Sequence, residues 1–155
     1  MVWLRPRCRS PSDVRGKAKV GLLLLVVAAV IAYVHWPPIN EVETGKTPQY
    51  PDLQVQQFTA GEERLTKAAR AAIAALPGWE IVGSGRGPGG SEVAAVARPV
   101  PLPLKYDVTV RIRRRGAGSE LTVRSRSRVG PIDLGQNARN IRAFLAQLDR
   151  QLAQP

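Results

Sequence analysis

The chain has 155 residues, with 23 lysines and arginines against 12 acidic residues and a formal net charge of +11. This length allows one modest folded domain of about 110 residues once the N-terminal segments are set apart. A single cysteine and a single histidine exclude an intramolecular disulfide, a cysteine-rich metal site and a pair of catalytic histidines. The positive charge favours acidic partners such as lipid headgroups, nucleic acid or envelope polymers, without choosing among them.

The N-terminus joins a basic segment to an apolar one. Residues 1–19 carry six lysines and arginines and one acid, and residues 20–36 carry no formal charge. An apolar run at the lower limit of about 17 residues predicts a transmembrane helix, and its basic flank places the N-terminus in the cytoplasm. The sequence therefore predicts a single-pass protein of a bacterial inner membrane with a periplasmic C-terminal domain. Cys8 is interpreted as an unpaired thiol, with palmitoylation as the alternative.

A cleaved signal peptide is the alternative to this anchor, because residues 30–32 offer small side chains at the right spacing. The apolar character continues beyond that point, which favours an uncleaved anchor. Pro37 and Pro38 end the helix, since proline lacks an amide donor. Residues 37–58 are predicted to form an extended linker, within which residues 50–53 can dock onto the domain as a strap.

The folded domain is predicted over residues 59–155 and opens with a helix. Residues 59–62 read Thr-Ala-Gly-Glu, a pattern typical of a capping box at a helix N-terminus. Apolar side chains then recur at helical spacing and form one face, and Pro77 with Gly78 ends the helix. That face comprises Leu65, Ala68, Ala69, Ala72, Ile73 and Leu76.

Four strands are predicted after this helix. Residues 79–82 and 92–98 form a hairpin around the glycine-rich segment 83–90, which lacks the Gly-Lys-Ser/Thr ending of a phosphate loop and is interpreted as a flexible turn. Residues 106–113 and 121–128 alternate apolar and polar side chains, as half-buried strands do.

Arginines follow the polar positions of the last two strands. If the register of the strands agrees, one sheet face presents Arg111, Arg113, Arg124, Arg126 and Arg128. Such a face is either solvated or bound to anions, because like charges opposite each other repel. Aromatic stacking residues are absent from it, which, with the predicted compartment, disfavours nucleic acid as the partner.

The last element is a helix over about residues 135–151, with an apolar stripe of Ala138, Ile141, Leu145, Leu148 and Leu152 and with Phe144 beside it. The order of elements predicts a two-layer α+β domain. It consists of an antiparallel sheet of about four strands with two helices on one face, preceded by one transmembrane helix.

A strand-turn-helix junction near the C-terminus carries a family resemblance. Residues 124–130 read Arg-Ser-Arg-Ser-Arg-Val-Gly, and residues 133–137 read Asp-Leu-Gly-Gln-Asn. With Ile141-Arg142, and with the earlier landmarks at 50–53 and Gly78-Trp79, this pattern resembles the domain-of-unknown-function family 1499, DUF1499, from about residue 37 to the C-terminus. The resemblance implies no assigned activity. Members of the family often carry paired acids where Tyr106-Asp107 stands, so this chain lacks one acid of that pair.

Two interpretations of the junction are open. In the structural one, which we favour, Gly130 and Gly135 adopt unusual dihedrals, Asp133 or Asn137 caps the helix, and Arg128 pairs with Asp133. In the other, free helix amides and cationic side chains hold an anion. Candidate residues for that anion site are Arg124, Ser125, Ser127, Arg128 and Arg139.

The sequence therefore predicts a non-enzymatic binding or structural module. Its expected partners are the membrane, an anionic lipid or envelope polymer, or another protein, and we expect neither a metal nor a cofactor. The alternative is a hydrolase or transferase using Asp107 and Asp133, with Ser127. The exported part contains no histidine or cysteine, so a Ser-His or Cys-His mechanism is excluded there.

Overall fold

A computed structural model of the chain describes residues 11–35, 39–99, 104–131 and 133–153. The chain divides into two compact units, Met1–Trp36 and Pro37–Pro155. The predictions made for Cys8 and for Pro37 and Pro38 fall outside the described residues.

The first unit contains helix α1, Pro11–His35. The prediction of a transmembrane helix is wrong: within the described ranges, no helix is long and apolar enough to cross a membrane. Helix α1 begins among the basic residues, and its uncharged part covers only residues 20–35. At about 1.5 Å per residue this part is roughly 24 Å long, whereas a hydrocarbon core is about 30 Å thick.

The second unit is a two-layer α+β domain. In chain order its elements are β1 (Glu41–Glu43), β2 (Gln56–Phe58), α2 (Glu62–Ala75), β3 (Trp79–Gly87), β4 (Gly90–Ala97), β5 (Tyr106–Arg115), β6 (Gly118–Ser127) and α3 (Gln136–Leu152). The helices, the two hairpins and the α+β class were predicted from the sequence. The glycine-rich turn is shorter than predicted, because β3 continues to Gly87.

The sheet has six strands, so the prediction of about four is wrong. All pairs are antiparallel in the order β1-β6-β5-β4-β3, and β2 pairs with the same edge of β6 as β1 does. Strand β1 lies beside residues 124–126 and β2 beside residues 119–121. Both extra strands come from the segment predicted as a linker, and each is only three residues long, too short for an alternating pattern to be visible.

The segment between β1 and β2 docks onto the domain, as predicted for residues 50–53. Leu53 is 3% exposed and joins the core. On α3, Arg142 donates a 2.9 Å hydrogen bond to the Asp52 carboxylate, and its guanidinium lies 5.5 Å from the centre of the Tyr50 ring. The strap is therefore held both by burial and by a cation above an aromatic ring.

The core lies between one sheet face and the two helices. The alternation along β5 and β6 places Val108, Val110, Leu121 and Val123 on the helix side, and α3 contributes Ala138, Ile141, Phe144 and Leu148. The opposite sheet face carries the charged side chains of the same strands. Helix α2 has Gly61 as its N-cap and no side-chain cap hydrogen bond, so the predicted capping box does not form.

Candidate functional site: the junction and the open sheet face

The strand-turn-helix junction is built around the N-terminus of α3. The buried Asp133 carboxylate accepts hydrogen bonds from the backbone amides of Gly135, at 2.9 Å, and Asn137, at 2.6 Å. Leu134 and Gly135 both have positive φ, 51° and 75°, which turns the chain into the helix. Asp133 thus satisfies two amides that a helix start would otherwise leave free.

A buried polar network continues from this cap into the sheet. The Ser125 hydroxyl donates to the Asn137 side-chain oxygen at 2.8 Å, and the Asn137 amide group donates to the Asn40 carbonyl at 2.8 Å. The same carbonyl accepts from the Ser127 backbone amide, and the Asn40 side chain donates to the Gly130 carbonyl at 3.3 Å. The junction residues therefore hold Asn40, directly before β1, against the sheet and α3.

The five predicted anion-binding residues do not converge. Ser125 and Ser127 are buried on the helix side, whereas Arg124 points from the opposite, open face. Arg128 is exposed, and its guanidinium donates to Asp107 at 2.6 and 2.9 Å. Arg139 is exposed on α3 and donates to Gln136 at 3.0 Å. Arg128 is therefore paired with Asp107, not with Asp133 as the structural interpretation expected.

The two acids of the enzyme alternative are also apart. Asp107 lies on the open face with its side chain half exposed, and Asp133 is buried at the start of α3 on the helix side. The Arg128 hydrogen bonds occupy Asp107, and the amide hydrogen bonds occupy Asp133. This arrangement provides no pair of carboxylates around a common reacting atom.

The open face holds the arginines that were predicted to share it. In the β5–β6 register, Arg111 lies opposite Thr122, Arg113 opposite Glu120, and Arg124 opposite Thr109. This register confirms that the arginines of β5 and β6 share one sheet face. The register also interleaves acids from neighbouring strands, so opposite charges face one another and like charges do not.

Most of these arginines are held by carboxylates. Arg124 makes a bidentate ion pair with Glu41 of β1, at 2.7 and 2.6 Å, and Arg126 lies 3.9 Å from the same carboxylate. The hydrogen bond from Arg124 is the main reason why the pKa of Glu41 is lowered. Arg111 pairs with Glu92 at 2.8 Å. An anion at these positions would have to displace an intramolecular partner.

The end of β5 is different. Within the described part of the chain, Arg113 and Arg114 form no hydrogen bond or ion pair of 4 Å or less. Successive residues of a strand point to opposite faces, so Arg113 belongs to the open face and Arg114 to the helix side. We call this pair the arginine end. The arginine end lies beside the β3–β4 turn and the first residue of α2.

Three surface grooves surround the arginine end. A groove of about 500 Å³ is lined by Arg113, Arg114, Arg86 and the glycines of the β3–β4 turn, and a neighbouring one of about 580 Å³ adds Arg64. In both, Glu62 accepts hydrogen bonds from Ser91 and Arg86, which together lower its pKa. A third groove, of about 240 Å³, lies on the open face and also includes Arg113.

Sequence reasoning did not identify Glu41 and Glu43 as part of this surface. Their partners on β6 are more than 80 residues away in sequence, at Arg126 and Arg124. The alternation Glu-Val-Glu is the only local pattern that indicates a strand here: Val42 is fully buried, and the two glutamates lie on the open face. Three residues, however, are too few to distinguish a strand from a linker.

The fold and the junction define a two-layer α+β domain whose two helices, α2 and α3, pack on the sheet face opposite the charged one. The family described as a protein of unknown function, DUF1499, matches residues 31–148, and the chain belongs to this family. Among solved structures the chain is similar to protein CV1439 from Chromobacterium violaceum, with a TM-score of 0.41 and 14% identity over 75% of this chain and 98% of that one. It is also similar to Ara h 8.0201, with a TM-score of 0.36 and 15% identity over 73% and 97%. No curated protein matches the chain.

Proposed function

We propose that the second unit is a non-enzymatic binding module that holds an anionic, phosphate-bearing ligand at the arginine end. The observation that carries this proposal is the contrast along one sheet. Arg111 and Arg124 are occupied by carboxylates. Neither Arg113 nor Arg114 has a carboxylate within 4 Å among the described residues, and Glu62 acts on Arg114 only from a longer distance. Guanidinium groups bind phosphate through paired hydrogen bonds. An anionic lipid headgroup or an envelope polymer supplies that chemistry.

The excess of positive charge supports the same proposal. Residues 37–155 contain 17 lysines and arginines and 11 acids. Ion pairs within the domain neutralise most arginines of the open face, so the excess of positive charge comes from lysines and arginines that have no carboxylate partner among the described residues. Arg64, Arg113 and Arg114 all line the grooves around the arginine end. The predicted periplasmic location and the domain boundaries stay predictions.

The experiment compares charge at the arginine end with equal charge elsewhere. Full-length wild type, Arg113→Gln/Arg114→Gln and Arg139→Gln/Arg150→Gln are sedimented with vesicles of phosphatidylglycerol and phosphatidylcholine at low ionic strength. Each arginine near an anionic surface contributes about 1 kcal/mol. The first double variant should therefore bind about 30-fold more weakly than wild type, which corresponds to about 2 kcal/mol.

The control variant removes two exposed arginines from α3, whose hydrogen bonds go only to glutamines. It should lose far less affinity, because its residues lie outside the grooves. The basic segment 1–19 is the same in all three proteins, so the difference between variants reports on the second unit. Equal losses in the two double variants would show that net charge alone drives binding. No binding of wild type to anionic vesicles would reject the proposal altogether.

A further inference from the structure

The open-face groove lies beside the gap between β1 and β2, the two short strands that pair with the same edge of β6. Strand β1 ends at Glu43 and β2 begins at Gln56. Among the described residues between them, only Thr44 is hydrogen-bonded to the backbone of β6: its amide donates to the Val123 carbonyl and its hydroxyl accepts from the Val123 amide, both at 3.0 Å. The groove has a volume of about 240 Å³, below the range of about 300–1,000 Å³ typical of drug-sized sites. It is therefore sized for a small head group. Its lining is Glu43, Thr44, Gly45, Lys46, Val55, Arg111, Arg113, Glu120 and Thr122.

The groove carries charges of both signs at each end. At one end Glu43 is only 18% exposed and pairs with Lys46 at 2.8 Å, while Lys46 is 70% exposed. An exposed lysine loses side-chain entropy in such a pair, which makes it a weak and replaceable partner. At the other end Glu120 pairs with Arg115, which leaves Arg113, directly opposite Glu120, without a carboxylate among the described residues.

We propose that this groove binds a zwitterionic group that carries a phosphate and a primary ammonium, as phosphoethanolamine does. The phosphate lies on Arg113, and the ammonium replaces Lys46 at Glu43. This inference rests on the proposed function, in which Arg113 contributes to phosphate binding. It adds a preference: among phosphate-bearing ligands, the groove selects those that also carry an ammonium group.

The register sets the spacing of the two charges. Glu43 on β1 lies opposite Arg124, and Arg113 on β5 lies opposite Glu120, four residues earlier in β6. At about 3.4 Å per residue these positions are roughly 14 Å apart along the strand. Because β1 and β5 flank β6 on opposite sides, they are also about 10 Å apart across the sheet, before two long side chains close part of the distance. A ligand must therefore carry its charges several bonds apart. An α-amino acid, with both charges on one carbon, does not fit this requirement.

The test compares two phosphates that differ in the ammonium group. Phosphoethanolamine and glycerol 3-phosphate are titrated into the ¹⁵N-labelled full chain at low ionic strength, and Kd is taken from backbone amide shifts. The wild type should bind phosphoethanolamine about three- to fivefold more tightly, since exposed ion pairs contribute little. Glu43→Gln should remove this preference and leave glycerol 3-phosphate binding at least as tight. Glu80→Gln, a matched change on β3 outside the groove, should keep the preference.

The outcomes separate this inference from the proposed function. Equal affinity of the wild type for both probes would overturn the zwitterion inference and leave phosphate binding intact. A preference that survives Glu43→Gln would overturn the assignment of Glu43. Arg113→Gln should weaken both probes, and an unchanged affinity would overturn the placement of the phosphate on Arg113. No binding of either probe by the wild type would overturn both proposals. Vesicles with phosphatidylethanolamine in place of phosphatidylcholine then identify the source: Glu43-dependent binding to them supports a lipid headgroup, and binding of the soluble probe alone supports a free phosphoester.

Discussion

Replacing Asn137 with alanine tests whether the hydrogen bonds of the strand-turn-helix junction stabilise the fold. The Asn137 side chain is fully buried, accepts from the Ser125 hydroxyl and donates to the Asn40 carbonyl, both at 2.8 Å. Each lost hydrogen bond costs about 1 kcal/mol, and a buried hydroxyl hydrogen left without an acceptor adds about 1 kcal/mol. The Ser125 oxygen keeps the hydrogen bond that it accepts from Asn140, at 3.3 Å. The Asn40 carbonyl keeps its bond from the Ser127 amide, and alanine gains about 0.7 kcal/mol of helix propensity.

The sum predicts that Asn137→Ala lowers the free energy of unfolding by about 2–3 kcal/mol. This corresponds to a fall in Tm of about 4 °C per kcal/mol for a domain of this size. Urea unfolding of the full chain, followed by tryptophan fluorescence, measures the change through the midpoint at a constant m value. Gln147→Ala, a polar-to-alanine change on the outer part of the same helix, should stay within about 0.5 kcal/mol.

A double-mutant cycle separates the network from simple loss of packing. Removing both partners costs less than the sum of the two single losses, because the Ser125–Asn137 hydrogen bond is lost in each single variant but only once in the double variant. Ser125→Ala/Asn137→Ala should therefore show a coupling of about 1 kcal/mol. Strictly additive effects, or a cost below about 0.5 kcal/mol for Asn137→Ala alone, would refute the role of this network in holding β1 to the sheet.

Two further changes test the open face and the hairpin. The hydrogen bond from Arg124 lowers the pKa of Glu41, so Glu41→Gln should lower the free energy of unfolding by about 1 kcal/mol at pH 7. The difference from wild type should shrink as the pH falls below 4.5, the ordinary pKa of a glutamate. A difference in urea unfolding that does not depend on pH would contradict this. At Gly90, φ is +107° and an added Cβ would meet the Ile112 carbonyl oxygen at 2.2 Å, whereas at Gly87 it would meet nothing within 4 Å. Gly90→Ala should therefore cost about 3 kcal/mol in the same assay and Gly87→Ala under about 0.5 kcal/mol, and equal costs would show that the turn relaxes.

The parts of the fold that the sequence predicts are those set by local patterns. Helices α2 and α3 follow from apolar spacing, and β5 and β6 follow from alternation, which also places the arginines on one face. The edge strands could not be predicted, because their pairing joins residues far apart in sequence. The chemistry of the open face depends on that pairing, since Glu41 decides which arginine is neutralised. For this reason, counting arginines overestimated the anion-binding surface.

The location of the junction implies that it affects the proposed binding without contacting the ligand. Asn40 is fastened by Asn137, and Glu41 and Glu43 follow it directly as β1. The junction therefore fixes the position of both carboxylates on the open face, one on Arg124 and the other in the small groove. Loosening the junction would release both carboxylates and expose Arg124 to solvent anions. The junction thus preserves the contrast between the paired arginines and the arginine end, on which the proposed binding depends.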